Sequence, residues 1–354
     1  MNMQTAKVAI IGAGLAGMYA AFLLERKGFT DYVVLEARHA TGGRIATLEG
    51  FDLGPAWFWP GYQRQMDALV SELGLARFAQ FDTGVTMVER SRDERPFVAA
   101  GYVNSPAAMR LTGGMGTLID ALRGGVNPAR IITGQAVRRL RCDVEAVEVE
   151  CDSNAMPWRV GHVLLALPPR LAIQSIEFLP ALPQTLTAQW DATNTWMAPH
   201  AKYLAVYDSP FWRDMGLSGE ARSAAGPLAE IHDATLPGGR AALFGFFGVP
   251  AGVRKRVPDA EMRVLCRSQL VRLFGLAAAC PQTEFIKDWA LEPFTATADD
   301  LAQAGQQALA PVAAPVAGPW RGRVTGIASE WSPQYPGYLA GAIEAATLGI
   351  ESIL

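Results

Sequence analysis

The stretch from Lys7 to Arg44 constrains this chain more than any other. Lys7-Val-Ala-Ile-Ile11 is short, apolar and β-branched, and it stops at Gly12-Ala-Gly14-Leu15-Ala16-Gly17. An apolar helical stretch, Leu15 to Arg26, follows at once. A second strand-like run, Tyr32-Val-Val-Leu35, then ends on Glu36. Strand, glycine turn, helix, strand and acid come in the order of a dinucleotide-binding βαβ unit. Gly12 turns the chain tightly off the strand, Gly14 lets a pyrophosphate approach the backbone, and Gly17 lets helix and sheet pack closely. The N–H groups and positive end of the helix face the phosphates. Glu36 is placed to accept hydrogen bonds from the adenosine ribose, and its charge would repel a 2′-phosphate.

Composition narrows what can surround this unit. A chain of 354 residues suggests about two domains. A net charge of −3 gives no electrostatic footprint for nucleic acid. The tightest basic cluster, Arg138, Arg139 and Arg141, reads as the solvated face of a strand. Cys142, Cys151, Cys266 and Cys280 have neither metal-ligand spacing nor a CxxC pair, so no metal site is expected. Cys142 and Cys151 could face each other across a hairpin, but reduced thiols in a cytosolic protein are the better reading. The apolar N-terminus lacks a basic leader and carries glycines inside its apolar run, so it reads as mature structure. No apolar stretch approaches a transmembrane length. The expected location is the cytoplasm, and the oligomeric state is not readable.

Behind Glu36 come Ala37-Arg38 and, shortly after, Gly42-Gly43-Arg44. The second glycine pair permits another close backbone approach, and Arg44 can supply charge-assisted hydrogen bonds to a diphosphate. With this Glu-Ala-Arg…Gly-Gly-Arg segment the sequence resembles the flavin-dependent amine oxidase superfamily (monoamine, polyamine and L-amino-acid oxidases). The blocks that carry the resemblance are scattered over nearly the whole chain. Phe51-Asp-Leu-Gly54-Pro55-Ala56-Trp57 is similar to the family segment beside the flavin. Leu111-Thr-Gly113-Gly114-Met115 is similar to its Gly-Gly-Met turn, and Val163 to Pro169 to its crossover. At the end of the chain, Ser329-Glu330, Gly337-Tyr338-Leu339 and Ala342 resemble the closing cofactor motif. Ala40 stands where a basic residue is common and Ala328 where glycine is usual.

The resemblance implies an α/β fold: a Rossmann-like, discontinuous FAD-binding domain with a smaller α+β substrate domain. Residues 1–75, 110–192 and 290–354 are expected to form the first, and 76–109 with 193–289 the second. Residues 63–75 have helical spacing, 131–150 read as strands, and 301–319 read as a connecting loop. The stretch from Ala76 to Met109 is short for this family and predicts a reduced lid.

The resemblance also places the chemistry. FAD would be held without a covalent bond, since no cysteine follows Cys280. Its adenine would meet the backbone near Val137, its ribityl-diphosphate Ser329 and Glu330, and its pyrimidine the helix opening at Gly337. Lys202 lies in Ala198 to Tyr207, which alternates like a half-buried strand, and would hold a water at flavin N5. The strand pattern alone also permits a snorkelling surface lysine. Trp289 would pack on the flavin, although a core tryptophan reads equally well. Tyr338 would form one wall of an aromatic cage around the amine. The position of the other wall falls at about Asp299, leaving Tyr335, Trp57 or Trp59 as substitutes.

The implied reaction takes a hydride from the α-carbon of an amine to flavin N5. It gives an imine, then a carbonyl with ammonia or amine, and oxygen is reduced to hydrogen peroxide. Such chemistry needs orientation and desolvation more than a strong protein base, and His39, His162, His200 and His232 form no triad in the sequence. Two other readings stay open: a related flavin dehydrogenase or desaturase acting on an apolar non-amine substrate, and a non-catalytic flavin-binding protein.

Overall fold

The computed structural model describes residues 3–101, 105–152, 156–302 and 309–354, and two sheets organise them. Strand β1 (Gln4–Ile11) leads through helix α1 (Leu15–Arg26) to β2 (Tyr32–Glu36), which lies parallel beside it. Strand β3 (Trp158–Leu165) runs parallel along the other side of β1. The eight-stranded sheet is completed by Ile131–Thr133 beyond β2 and by Val147–Cys151, Val137–Cys142 and Glu177–Leu179 beyond β3. Val324–Gly326 pairs with the last residues of β3.

The end of β1 is buried on both faces, which is why Val8 to Ile11 are all apolar. On one side α1, the helix Gly116–Gly124 and the closing helix α2 (Leu339–Glu351) pack Met18, Leu118 and Ile343 around Ile10. On the other, Ile11 belongs to a cluster with Trp190, Trp320 and Trp331. This is the Rossmann-like core that the first forty residues announce.

The second sheet has seven strands, ordered Thr283–Asp288, β4 (Ala201–Tyr207), Ala241–Phe247, Leu228–Asp233, Leu217–Ser223, Val85–Glu89 and Phe97–Ala99. Helix Asp259–Phe274 covers one face, where Tyr203 and Ala205 meet Leu270 and Phe274. The opposite face brings Leu204, Val206 and Phe244 against Phe51 and Leu53 of the first half. The alternation of residues 198–207 predicts a half-buried strand, but β4 is buried at all seven positions. Its second face is covered by a segment far away in sequence, and no local pattern could show that.

Other expectations fare unevenly. The helix expected over 63–75 spans Arg64–Glu72. The prolines after β3 open a helix, Pro169–Ser175, with proline in its first turn. Cys142 and Cys151 do not face each other: Cys142 pairs with Val147 and Val137 with Cys151, so the thiols sit at opposite ends of the hairpin, and all four cysteines are free. The residues from Phe78 to Met109 read as irregular with alternating pieces such as Val85 to Val88; that piece is the strand Val85–Glu89 of the second sheet, and Arg77–Ala79 pairs with Met109–Leu111. Arg138 and Arg141 are exposed, and Arg139 pairs with Glu150 and Glu177. Of the expected loop, 303–308 lie outside the described residues, and the helix Ala298–Ala302 overlaps its start.

A buried ion pair lies near this loop. Asp300 Oδ1 accepts hydrogen bonds from Arg170 Nη1 (2.7 Å) and the Thr195 amide (2.9 Å), and Oδ2 accepts from the Thr297 amide and hydroxyl. Both charged side chains are almost wholly buried. Removing one partner strands the other charge away from water. Asp300→Ala should therefore lower unfolding free energy by about 3–5 kcal/mol, measured by denaturant titration at equal flavin saturation. A loss below about 1 kcal/mol, the worth of an exposed pair, would show the pair to be dispensable.

Candidate active site

The strand ends of the first sheet and the inner face of the second enclose one cavity of about 600 Å³. Its far end is built by the N-terminal unit. No side chain caps α1 and no acid lies in its first turn, so its positive end is turned to the cavity uncompensated. A Cβ on Gly17 would lie 1.9 Å from the Gly12 carbonyl oxygen, and one on Gly43 would lie 2.9 Å from Gly14 Cα. The two glycine turns are thus pressed backbone to backbone, making a cradle that side chains would fill. Gly12, Gly14, Leu15, Ala16, Gly42 and Gly43 line the cavity; Gly17 lies beneath, in the helix–strand contact.

Glu36 ends β2 with its carboxylate buried and held in place. Oε2 accepts from the Ala13 amide (2.6 Å) and Oε1 from the Arg38 amide (2.9 Å). Ala37, Arg38 and Val137 line the same end. Arg38 Nη2 donates to Thr295 Oγ1 (2.9 Å), tying this end to the segment after Trp289. Arg44 lines the cavity while donating to both carboxylate oxygens of Glu330 and to Ser329 Oγ (3.2 Å). Burial works against its charge, but Glu330 outweighs that and raises the guanidinium's pKa. Ser329 reaches the cavity. Glu330, expected there, does not line it; its carboxylate pairs with Arg44, which does.

At the near end, Gly54, Pro55, Ala56 and Trp57 form one wall. Trp57 Nε1 donates to Gln80 Oε1 (2.8 Å), and its ring meets His232 edge-on at 4.9 Å. Trp289 is buried, donates from Nε1 to the Leu53 carbonyl (3.1 Å) and faces the cavity. Leu339 and Ala342 bring the first turn of α2 to the cavity, also without a side-chain cap.

Lys202 enters from β4 and is 2% exposed, which excludes a snorkelling surface residue. Its Nζ donates to the carbonyls of Gly54 (2.7 Å) and Asp52 (3.0 Å) and lies 4.3 Å from the centre of the Phe244 ring. Burial pulls its pKa down to about 7; Asp52 resists the shift and Arg110 adds to it. Asp52 is itself pushed up by burial, against hydrogen bonds from Thr47 and the Met115 amide.

Tyr338 precedes the first turn of α2 at the near end, without a capping hydrogen bond, and lines the cavity. Asp299 does not oppose it: its carboxylate is at the surface, accepting from Gln174 Nε2 at 2.7 Å. Tyr335 is also elsewhere, donating to the Tyr62 carbonyl, whereas Trp57 and Trp59 do line the cavity. The sequence reading missed Trp196, His200, Glu230, Phe246 and Phe247, all of which reach it. His200 was findable, being two residues before Lys202 and so on the same side of an extended chain. Burial keeps it below the usual imidazole range. Glu230 and Phe246 sit on neighbouring strands and carry no local signal. Among the described residues, no group of His, Cys, Asp and Glu is arranged to hold a metal, and no helix is long and apolar enough to cross a membrane.

Comparisons with known proteins agree with this geometry. A sequence profile for flavin containing amine oxidoreductases matches residues 79–349, and one for NAD(P)-binding Rossmann-like domains matches 10–73. A putative flavin-containing monoamine oxidase of Mycobacterium tuberculosis is 30% identical, with 96% of this chain and 95% of the relative covered. A putrescine oxidase of Kocuria rosea is 26% identical over 81% of this chain and 83% of its own length. The alignment with the mycobacterial protein runs over 453 positions against 354 residues here, so about a hundred of them face gaps in this chain. A putrescine oxidase structure bound to putrescine superposes with a TM-score of 0.83 at 19% identity, covering 99% of both chains. A cyclohexylamine oxidase from Brevibacterium oxydans gives the same score at 20% identity, covering 98% of each. Sheet order, cradle and profile converge: the chain belongs to the flavin-containing amine oxidoreductases.

Proposed function

We propose that the cavity holds FAD without a covalent bond and that the protein oxidises an amine at its α-carbon, with oxygen as acceptor and hydrogen peroxide as product. The observation that carries this reading is the continuity of one cavity, from Glu36 and Val137 at one end to Lys202 and Tyr338 at the other. That span suits a dinucleotide with room for a small molecule beside its ring. None of the four cysteines lines it, which supports a non-covalent cofactor, and their free state supports a reducing compartment such as the cytoplasm.

Glu36 would hold the ribose hydroxyls and Val137 the adenine. The glycine turns with Arg44 and Ser329 would hold the diphosphate, and Gly54 to Trp57, Trp289 and the first turn of α2 the ring system. On this division the segments 1–75, 110–192 and 290–354 would form the cofactor domain and 76–109 with 193–289 the substrate domain, with Trp289 at their boundary. When bound, the flavin supplies the hydride acceptor and then the electrons for oxygen. The protein contributes placement and a dry, polarised wall. Two carbonyls take two of the three hydrogens of a Lys202 ammonium, leaving one to fix a water at the reacting face. The uncapped end of α2 would stabilise negative charge beside it.

The direct experiment is a panel of mono-, di- and polyamines and amino acids given to flavin-loaded protein, with peroxide as readout. One class of amine should yield peroxide. If none does, but an added dye is reduced, the protein is a dehydrogenase instead. Glu36→Ala should weaken FAD binding by about 1.5–3 kcal/mol, roughly ten- to a hundredfold in Kd; unchanged retention on dilution contradicts the assignment. Lys202 should show in the pH profile. A cation beside the ring favours the negative charge that develops as oxygen is reduced, so reoxidation should slow as pH rises through about 7. In Lys202→Met the rate should be low and flat across that range. A pH step surviving in the variant belongs to another group.

A further inference from the structure

The amine side of the cavity has an aromatic arrangement that the sequence does not announce. Tyr338 packs on Trp196, with ring centres 5.8 Å apart and planes tilted by 48°. Trp196 in turn meets His200 edge-on at 6.0 Å, and all three residues line the cavity. An alkyl chain between two facing rings needs them about 7–8 Å apart, one carbon contact distance on each side. The Tyr338–Trp196 pair is too close for that and forms a corner.

The indole is fixed there by the turn that starts α2. A Cβ on Gly337 would lie 2.2 Å from Trp196 Nε1, and Gly337 has a φ of +82°, so glycine is required twice over. The indole N–H is buried and hydrogen-bonds to nothing among the described residues. A buried donor left unpaired is a cost that needs a reason, and the ring's position in the wall supplies one. Asp299 meanwhile stays at the surface on Gln174.

We infer that Trp196, from the connector before β4, is the aromatic partner of Tyr338 in holding the substrate's amino group, and that the amine lies against the corner of the two rings instead of between facing walls. The inference rests on the proposed amine oxidation and adds its recognition element. An ammonium or amine group set in such a corner meets two π-faces, the arrangement that attracts cations. The ring is a positioning element; it exchanges no proton or electron.

The test uses flavin-loaded wild-type protein, Trp196→Phe and Trp196→Leu. Binding of benzyltrimethylammonium, a cation with no neutral amine form, is measured by calorimetry, alongside KM and kcat for an amine that the wild type oxidises. Trp196→Phe should bind within about threefold of wild type, and Trp196→Leu about tenfold more weakly, with the loss in turnover falling on KM. Asp299→Ala should change neither. Trp196→Leu binding within twofold of wild type overturns the inference, as does loss of flavin from Trp196→Leu while Trp196→Phe keeps it, since Trp196 is then a wedge for the turn alone. A wild type that binds no cation and oxidises no amine fails the functional reading itself.

Discussion

Two backbone carbonyls, those of Asp52 and Gly54, hold the buried amine of Lys202, and much of the molecule is arranged around that contact. It joins the strand next to one edge of the second sheet to the segment that walls the cavity of the first. A lysine this deep would lose stability if left unpaired. The carbonyls, the ring of Phe244 and the nearby Asp52 carboxylate offset the loss only in part, which is why burial still pulls its pKa to about 7. The same contact explains why β4 is covered on both faces. Phe51 and Leu53 close over Leu204 and Val206 as the carbonyls close over Lys202. The packing that makes the domain junction also makes the dry wall of the site.

The two ends of the chain were legible because their signals are local. β1, the glycine turn, α1 and Glu36 complete a unit between Gln4 and Glu36, and each constraint there is one of backbone geometry that only certain residues satisfy. The closing segment from Ser329 to Ala342 is similar: a single 3-10 turn, a glycine turn and the start of an apolar helix. Glu330 shows the limit even there. Its place in the motif pointed to the cofactor, while its carboxylate points to Arg44.

The second sheet was much less legible. Val85–Glu89 is five residues long; it forms a hairpin with nearby Phe97–Ala99, but its other partner, Leu217–Ser223, is more than a hundred residues away and carries no local signal. The alternation in β4 suggested one wet face because the covering segment lies far upstream. The aromatic wall was hard to read for a third reason. The position expected to supply it falls at Asp299, which the helix Ala298–Ala302 turns outward while Asp300 points inward to Arg170; of the substitutes named from the sequence, Trp57 and Trp59 line the cavity and Tyr335 does not. The ring beside Tyr338 comes from Trp196, which reads as an ordinary core residue until Gly337 is seen against it.

The central claim is that one cavity brings an amine's α-carbon to the flavin, and anaerobic titration tests it most directly. Adding the best amine of a panel to flavin-loaded protein without oxygen should bleach the oxidised-flavin absorbance at one equivalent per site, and air should restore it. Retained flavin whose spectrum no amine bleaches would contradict the account.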